Sequence, residues 1–353
     1  MAISKELQRK LDYYEQVYFA TDKPIPFKDD LMLYPVLAEN YYDFYGAVPC
    51  ITADKSIITV IDEDGRQKKI SNPKGLAQTY MSYLIEKLEG QEGQVTTMQL
   101  MQLFELVFHI KRGAFCPHCG KEIPYSDLFK DIDNKIEQRT DELYNSMIVN
   151  KTDNIKDVDE NILSNLKEKI RDMARREIMA QSYVCPDCNN QMRDIFSVKT
   201  NNETGQKLLV VKNTEINSKE FDEFKAIVPR QNILDYEGDK YMNPDLKEEL
   251  EIKAKLKNSD YTSPTLEKQM SCIVAGTSYK YEELYKLPIR KIAYLLRTID
   301  KKNTYYAQIQ GAMSGMVKFK EDPKHWIFSD DKHNIRDELT DYGKFADKFK
   351  QVV

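Results

Sequence analysis

Apolar positions recur every three or four residues over most of this chain, and that spacing predicts a mainly helical protein. Within residues 5–19, Leu7, Leu11, Tyr14 and Tyr18 share one helical face, and Pro24 and Pro26 close the segment. The aromatic cluster Tyr41-Tyr42-Asp43-Phe44-Tyr45 could serve as a stacking platform for bases, but aromatics at helical spacing more often fill a core. Leu76, Tyr80, Leu84 and Leu88 predict a helix that Gly90 and Gly93 terminate. In residues 97–109 the apolar positions Met98, Leu100, Met101, Leu103, Phe104, Leu106, Val107 and Phe108 leave little polar face, so this helix belongs in the middle of a core. The pattern changes at residues 56–61, where β-branched residues precede Asp62-Glu63-Asp64-Gly65 and a second extended run to Ile70, and a β-hairpin is expected there.

Between Gly120 and Val184 lie 65 residues with two helical stripes. Phe129, Ile132, Ile136, Leu143 and Met147 form the first, and Ile162, Leu166, Ile170, Met173 and Ala180 form the second. A polar stretch over residues 150–160 separates them, so the spacing predicts an antiparallel helical hairpin, with helices of about 22 residues and roughly 33 Å in length. Residues 194–198 and 208–211 flank Asn201-Asn202-Glu203-Thr204-Gly205 and suit a further hairpin. A short helix over residues 218–228 is expected to stop at Pro229. Asn243-Pro244 and Ser263-Pro264 each place proline at the start of a helix, the second burying Leu266, Met270, Ile273 and Val274. From Pro288 a strong amphipathic helix carries Ile289, Ile292, Leu295, Leu296 and Ile299, and residues 305–313 follow it. The expected fold class is mainly α with small β (α+β). Its expected parts are a mostly helical domain at 1–115 with a β-hairpin, a zinc ribbon at 116–215 with a helical arm inserted at about 125–182, a helical domain at 216–329 and a polar tail at 330–353.

That ribbon assignment rests on four cysteines, Cys116 and Cys119 in Cys116-Pro117-His118-Cys119 and Cys185 and Cys188 in Cys185-Pro186-Asp187-Cys188. Two residues between thiolates let one tight turn aim both sulfurs at one ion, and two such turns complete the tetrahedral set of a structural zinc site. One structural Zn2+ is therefore the expected cofactor. Four thiolates leave no open position for an activated water, so the site is expected to support folding rather than catalysis. His118 is expected at the surface of its turn. Cys50 and Cys272, alone in apolar surroundings, read as buried free thiols.

Composition narrows the function. With 353 residues, 41% of them hydrophobic and 31% charged, the chain has material for a folded core under a well-charged surface. A net charge of -5 removes the simplest electrostatic case for nucleic-acid binding by the whole molecule. No apolar run is long enough for a membrane helix, and the charged amphipathic sequence right after Met1-Ala2-Ile3-Ser4 points to synthesis in the cytosol. Neither a G-x-x-x-x-G-K-[ST] loop nor G-x-G-x-x-G, G-x-S-x-G or H-E-x-x-H occurs, and no H-x-E triplet accompanies the cysteines, so an enzyme is not expected. Between Lys280 and Lys324 ten basic residues stand against five acidic ones, with tyrosines interleaved. That face suits phosphates or an acidic protein subunit equally. The segment between the knuckles is net acidic, which argues against clamping a polyanion.

The C-terminal third contains Glu282-Glu283-Leu284, the helix from Leu287-Pro288-Ile289 to Leu295-Leu296, Tyr305-Tyr306, and Ser314-Gly315-Met316-Val317-x-Phe319-Lys320 followed by His325-Trp326. Together with Tyr34-Pro35-Val36, Tyr41-Tyr42-Asp43-Phe44-Tyr45 and Met81-Ser82-Tyr83-Leu84, these resemble a pattern in tail proteins of tailed bacteriophages, of the baseplate hub and tail-assembly kind. The resemblance covers about a third of the chain. It implies a virion structural or assembly protein, made in the host cytoplasm, whose partners are other phage structural subunits and which belongs to an oligomer or complex. The alternative is a zinc-ribbon protein that binds nucleic acid in transcription or packaging.

Overall fold

The structure is a computed structural model, and it describes residues 4–61, 65, 67–90, 93–149, 160–201, 205–236, 264–314 and 323–328. Expectations for the turn at 62–64, the loop at 150–159, the helix from Asn243-Pro244, the motif at 315–320 and the tail at 330–353 lie outside the described residues. The fold is mixed α/β, mainly helical, with small antiparallel sheets. It divides into one unit of residues 1–263 and 285–290 and another of 264–284 and 291–353.

In the first unit, α1 (Lys5–Tyr14) starts at the Ser4 cap and runs into a π-helical turn, Glu15–Phe19. Next comes a hairpin absent from the sequence reading, β1 (Ile25–Lys28) paired with β2 (Leu31–Leu33). Prolines at 24 and 26 argue against a central strand but are tolerated in a two-stranded ribbon, whose strands are both edges. Helices α2 (Tyr41–Ala47) and α3 (Pro49–Thr52) follow, then the expected hairpin of β3 (Ile57–Ile61) and β4 (Gln67–Ser71). The single helix expected over residues 76–88 is instead two, α4 (Pro73–Ala77) and α5 (Tyr80–Glu89). Thr79 separates them because its hydroxyl accepts from the Ser82 amide at 3.2 Å and caps the second. The longest apolar run forms α6 (Gly93–Phe108).

The core is built on α6. Leu100, Leu103, Phe104, Val107 and Phe108 are buried, whereas Met98 faces solvent at 61% exposure. Against them lies α10 (Ser218–Asn232), which comes more than a hundred residues later. Its Phe224 ring sits 5.4 Å from Phe104, 5.6 Å from Phe108 and 5.9 Å from Phe27, centroid to centroid. Such edge and offset contacts add to the area term of aromatic burial. Pro229 does not end α10, as the sequence suggested. The last turn is held from outside: Asn232 Oδ1 accepts from the Val36 amide at 2.7 Å, and Gln231 Nε2 donates to the Leu33 carbonyl at 3.2 Å. Residues 285–290 join this unit by bonding to the segment that follows β2, through Ala38 N to Leu287 O at 2.8 Å and Ile289 N to Val36 O at 2.9 Å.

Between α6 and α10 the chain forms β5 (Gly113–Phe115), β6 (Glu122–Pro124), α7 (Tyr125–Leu128), a long helical pair α8 (Ile132–Val149) and α9 (Glu160–Ser182), and β7 (Arg193–Asp194). The first three-stranded sheet has the order β6-β5-β7. A second, of order β10-β9-β8, comprises β8 (Phe196–Thr200), β9 (Lys207–Val211) and β10 (Thr214–Ile216). Its third strand was not foreseen. Gly113 is required where it stands, because a Cβ there would meet the Ile123 carbonyl oxygen at 2.1 Å.

The second unit contains α11 (Leu266–Gly276), α12 (Tyr281–Leu284) and most of α13 (Ile289–Met313). Leu266, Met270 and Ile273 are buried as expected, but Cys272 is exposed, because its position on α11 turns away from that apolar face. The two C-terminal runs expected separately are one continuous helix of 25 residues, α13.

Because Phe224 joins three elements, Phe224→Ala should lower unfolding free energy by about 3–5 kcal/mol. Urea titration with an unchanged slope would show it; a loss below about 1 kcal/mol would mean that the cluster is not the centre of the core.

Candidate metal centre

Each cysteine pair sits in a hairpin turn, and the two turns follow one plan. In the first, the Cys116 amide donates to Lys121 O at 2.8 Å and the Gly120 amide to Cys116 O at 2.9 Å. In the second, the Cys185 amide donates to Asn190 O and the Asn189 amide to Cys185 O, both at 2.9 Å. The residue after the second cysteine has positive φ in each, 78° at Gly120 and 57° at Asn189, the two residue types that adopt this conformation most easily. Strand β5 connects the turns, pairing Phe115 with Glu122 on one side and Ala114 with Asp194 on the other. Lys121 and Asp187, one from each turn, form an ion pair at 3.2 Å.

This arrangement brings all four expected ligands together, with every sulfur within 4.8 Å of the others. Cys116 lies 3.5 Å from Cys188, Cys119 lies 3.5 Å from Cys185, and Cys188 lies 3.6 Å from Cys119. A disulfide would bring two sulfurs to about 2.05 Å. Zinc bonds of about 2.3 Å in a tetrahedron place sulfurs roughly 3.8 Å apart, close to the spacing here. The donor set therefore fits a structural zinc ion. His118 is exposed and stands outside the cluster.

The thiols are electrostatically unequal. Hydrogen bonds from the Asn190 side chain and backbone draw Cys188 down to about 6. The Lys121 backbone amide also favours a Cys119 thiolate, but desolvation and sharing with the other three thiols outweigh it and push Cys119 up to about 12. Four thiolates at this spacing would repel one another strongly, and a bound dication would offset that repulsion and favour their deprotonation. Cys50, far from the cluster in sequence, is buried, and burial alone pushes its thiol up to about 12.

Beside the sulfurs lies a second fastening that the sequence reading missed. The Tyr125 and Tyr183 hydroxyls each donate to Asp194 Oδ1 at 2.6 Å. Desolvation first, and then the carboxylate, raises both phenols, Tyr183 to about 12. Tyr125 precedes α8, Tyr183 follows α9 and Asp194 lies in β7, so one carboxylate holds both roots of the helical pair against the ribbon. A signal was present in the sequence: Tyr125 and Asp194 each stand six residues after the second cysteine of their turn. Superposing the two knuckles would have paired them. Phe129 packs between the tyrosines, 5.4 Å from Tyr125 and 6.1 Å from Tyr183.

Farther out, the α8–α9 pair buries Ile136, Thr140, Ile170 and Ala174. Two residues of the expected second stripe, Leu166 and Met173, face solvent at 38% and 51% exposure, and Ala180 is exposed as well. Ala174 occupies the buried slot instead, since a small residue lets the helices approach. Arg139 sets the register, with Nε to Glu177 Oε2 at 3.1 Å and Nη2 to Glu177 Oε1 at 2.9 Å. Charge is also sorted. Exposed positions of α8 include Asp133, Glu137, Asp141 and Glu142, while those of α9 include Lys167, Lys169, Arg171, Arg175 and Arg176. Against them stand exposed Lys135 on α8 and exposed Glu168 and Asp172 on α9, so the exposed charge is mostly acidic on one helix and mostly basic on the other. On the C-terminal run of basic residues, Arg290 serves the fold: it donates to Arg230 O at 2.7 Å and pairs with Glu15 at 2.9 Å.

No helix among the described residues is long and apolar enough to cross a membrane. Comparison with known proteins identifies one partial similarity. A family described as the YomV second domain matches residues 255–329, the stretch that contains α11, α12 and α13. Neither a curated protein nor a solved structure matches the chain.

Cys116→Ser or Cys185→Ser should abolish stoichiometric zinc, whereas Cys272→Ser should retain it. Native mass spectrometry of the three purified variants decides, and a fully folded wild-type protein without metal would refute the assignment. Tyr125→Phe with Tyr183→Phe should leave the zinc in place and raise amide exchange at the two arm roots by about tenfold, the scale of two lost exposed side-chain hydrogen bonds.

Proposed function

We propose that this protein is a structural or assembly component of a tailed bacteriophage, in the tail or baseplate hub region of the virion, and that it acts through contacts with other structural subunits. The observation that carries the architectural half of this reading is the closed four-sulfur set at the root of a helical pair. Four protein ligands fill zinc's usual shell, so the ion acts as a staple rather than as a Lewis acid. Zinc and the Tyr125–Asp194–Tyr183 link hold both ends of the arm, which suits a rigid projection offered to a partner. The phage assignment rests on the sequence resemblance in residues 34–45, 81–84 and 282–326. On this reading the protein is not an enzyme, and it belongs to a larger complex made in the host cytoplasm.

A second reading, a zinc-ribbon protein that binds nucleic acid in transcription or packaging, draws on the exposed basic residues of α9. Lys167, Arg171 and Arg175 follow at intervals of four and could track phosphates along one face. The acidic neighbour α8 opposes that role, and the protein-contact reading is therefore preferred.

Mass spectrometry of purified phage particles and of tail-assembly intermediates should detect the chain; absence from both would reject the virion assignment. In parallel, the protein should not shift a labelled DNA duplex at about 50 mM salt. Salt-dependent binding, weakened by Arg171→Glu with Arg175→Glu, would establish the second reading instead.

A further inference from the structure

The β3–β4 ribbon stands apart from the structures that serve the metal centre and the core. Its register pairs Ile57 with Ser71, Ile58 with Ile70, Thr59 with Lys69, Val60 with Lys68 and Ile61 with Gln67. The Asn72 amide donates to Ser56 O at 2.7 Å, which makes 56 and 72 a hydrogen-bonded pair of the ladder. Alternation then assigns the inward peptide groups of β3 to Ile58 and Val60, and turns those of Ile57, Thr59 and Ile61 to the opposite edge. Among the described residues the Ile57 amide reaches Asp54 O at 3.5 Å, and the outward groups of Thr59 and Ile61 meet no backbone partner.

That edge lacks the usual protections. All five residues of β3, Ile57-Ile58-Thr59-Val60-Ile61, are β-branched, without charge, proline or glycine, and natural proteins normally blunt such a strand. Ile61 is 73% exposed, Ile58 40% and Ile70 37%. Strand β4, in contrast, carries Lys68 and Lys69. Two copies joined through β4 would bring their exposed Lys68 side chains onto adjacent strands, whereas two copies joined through β3 would keep them on the outer strands of the sheet.

We propose that the open edge of β3 is a pairing surface for a second copy of this chain, joined antiparallel about a two-fold axis near Thr59. The odd-numbered residues that point outward make the edge self-complementary: Thr59 meets its own symmetry mate, and Ile61 meets Ile57 of the second copy. The most exposed isoleucine of the ribbon so gains a direct cross-strand neighbour, and two marginal ribbons become one four-stranded sheet. A strand pair this short buries less than the roughly 1,200 Å² of a standard interface, so the dimer is weak and concentration-dependent unless a larger assembly holds the copies close.

The test uses the full chain. Sedimentation velocity over a concentration series should show a monomer–dimer equilibrium. Thr59→Pro removes only an outward amide, which a ribbon edge tolerates, and should raise the dissociation constant at least about tenfold while leaving circular dichroism and Tm unchanged. Ile61→Lys, which keeps every amide, should weaken the dimer in the same direction. Hydrogen exchange adds a readout by residue: the Thr59 and Ile61 amides should gain protection as concentration rises, while those of Ile58 and Val60 stay protected throughout. A protein that is monomeric at every concentration overturns the proposal. So does a dimer that survives both substitutions, since it must use another face.

Discussion

Four sulfur atoms held within 4.8 Å of one another are the constraint on which the middle of this protein depends. They close a loop whose 65 intervening residues would otherwise be free at both ends, and the entropy of that closure makes a staple at the root effective. Sulfur geometry alone would leave the helical pair able to swing. The shared carboxylate of Asp194 restricts that freedom by joining Tyr125, at the start of α7, to Tyr183, the residue after α9. Ribbon, metal site and arm are therefore one mechanical element, and the arm's direction is set by groups at its base.

That element is inserted between the two helices that make the core. Helix α6 precedes it, α10 follows it, and their phenylalanines meet in a cluster centred on Phe224. Bringing two such distant segments together closes a long loop before the hydrophobic contacts reward it. A metal ion held by the four cysteines would shorten the effective loop by tying its ends. Residues 285–290 then pair beside Val36 and Ala38, so the first unit is completed by a segment from the far end of the chain.

Charge separation on the arm bears on its use. In the proposed assembly role, a mostly acidic α8 beside a mostly basic α9 would orient a partner, because electrostatic complementarity governs encounter and register more than affinity. The exposed Leu166 and Met173 on the basic helix supply apolar area of the kind an interface core needs.

How far this was legible in the sequence depended on the range of the interaction concerned. The C-x-x-C spacing, the helical stripes and the β-branched hairpin are local patterns, so the four ligands, the arm and most helices could be read directly. Pro229 misled because α10 is held by Asn232 and Gln231 bonding to Val36 and Leu33, partners almost two hundred residues away. Prolines 24 and 26 hid β1 for the related reason that a proline's fitness depends on whether its strand is an edge. Cys272 and Met173 look buried by hydrophobicity, yet the rotation of each helix against its neighbour turns them outward. The sequence by itself determined which atoms could hold a metal and which segments could be helices. Only the tertiary structure decided that Tyr183 joins Tyr125 on the same Asp194 oxygen, that Ala174 rather than Met173 fills the buried slot between α8 and α9, and that β3 presents an open edge, because each depends on how separate elements are placed in space.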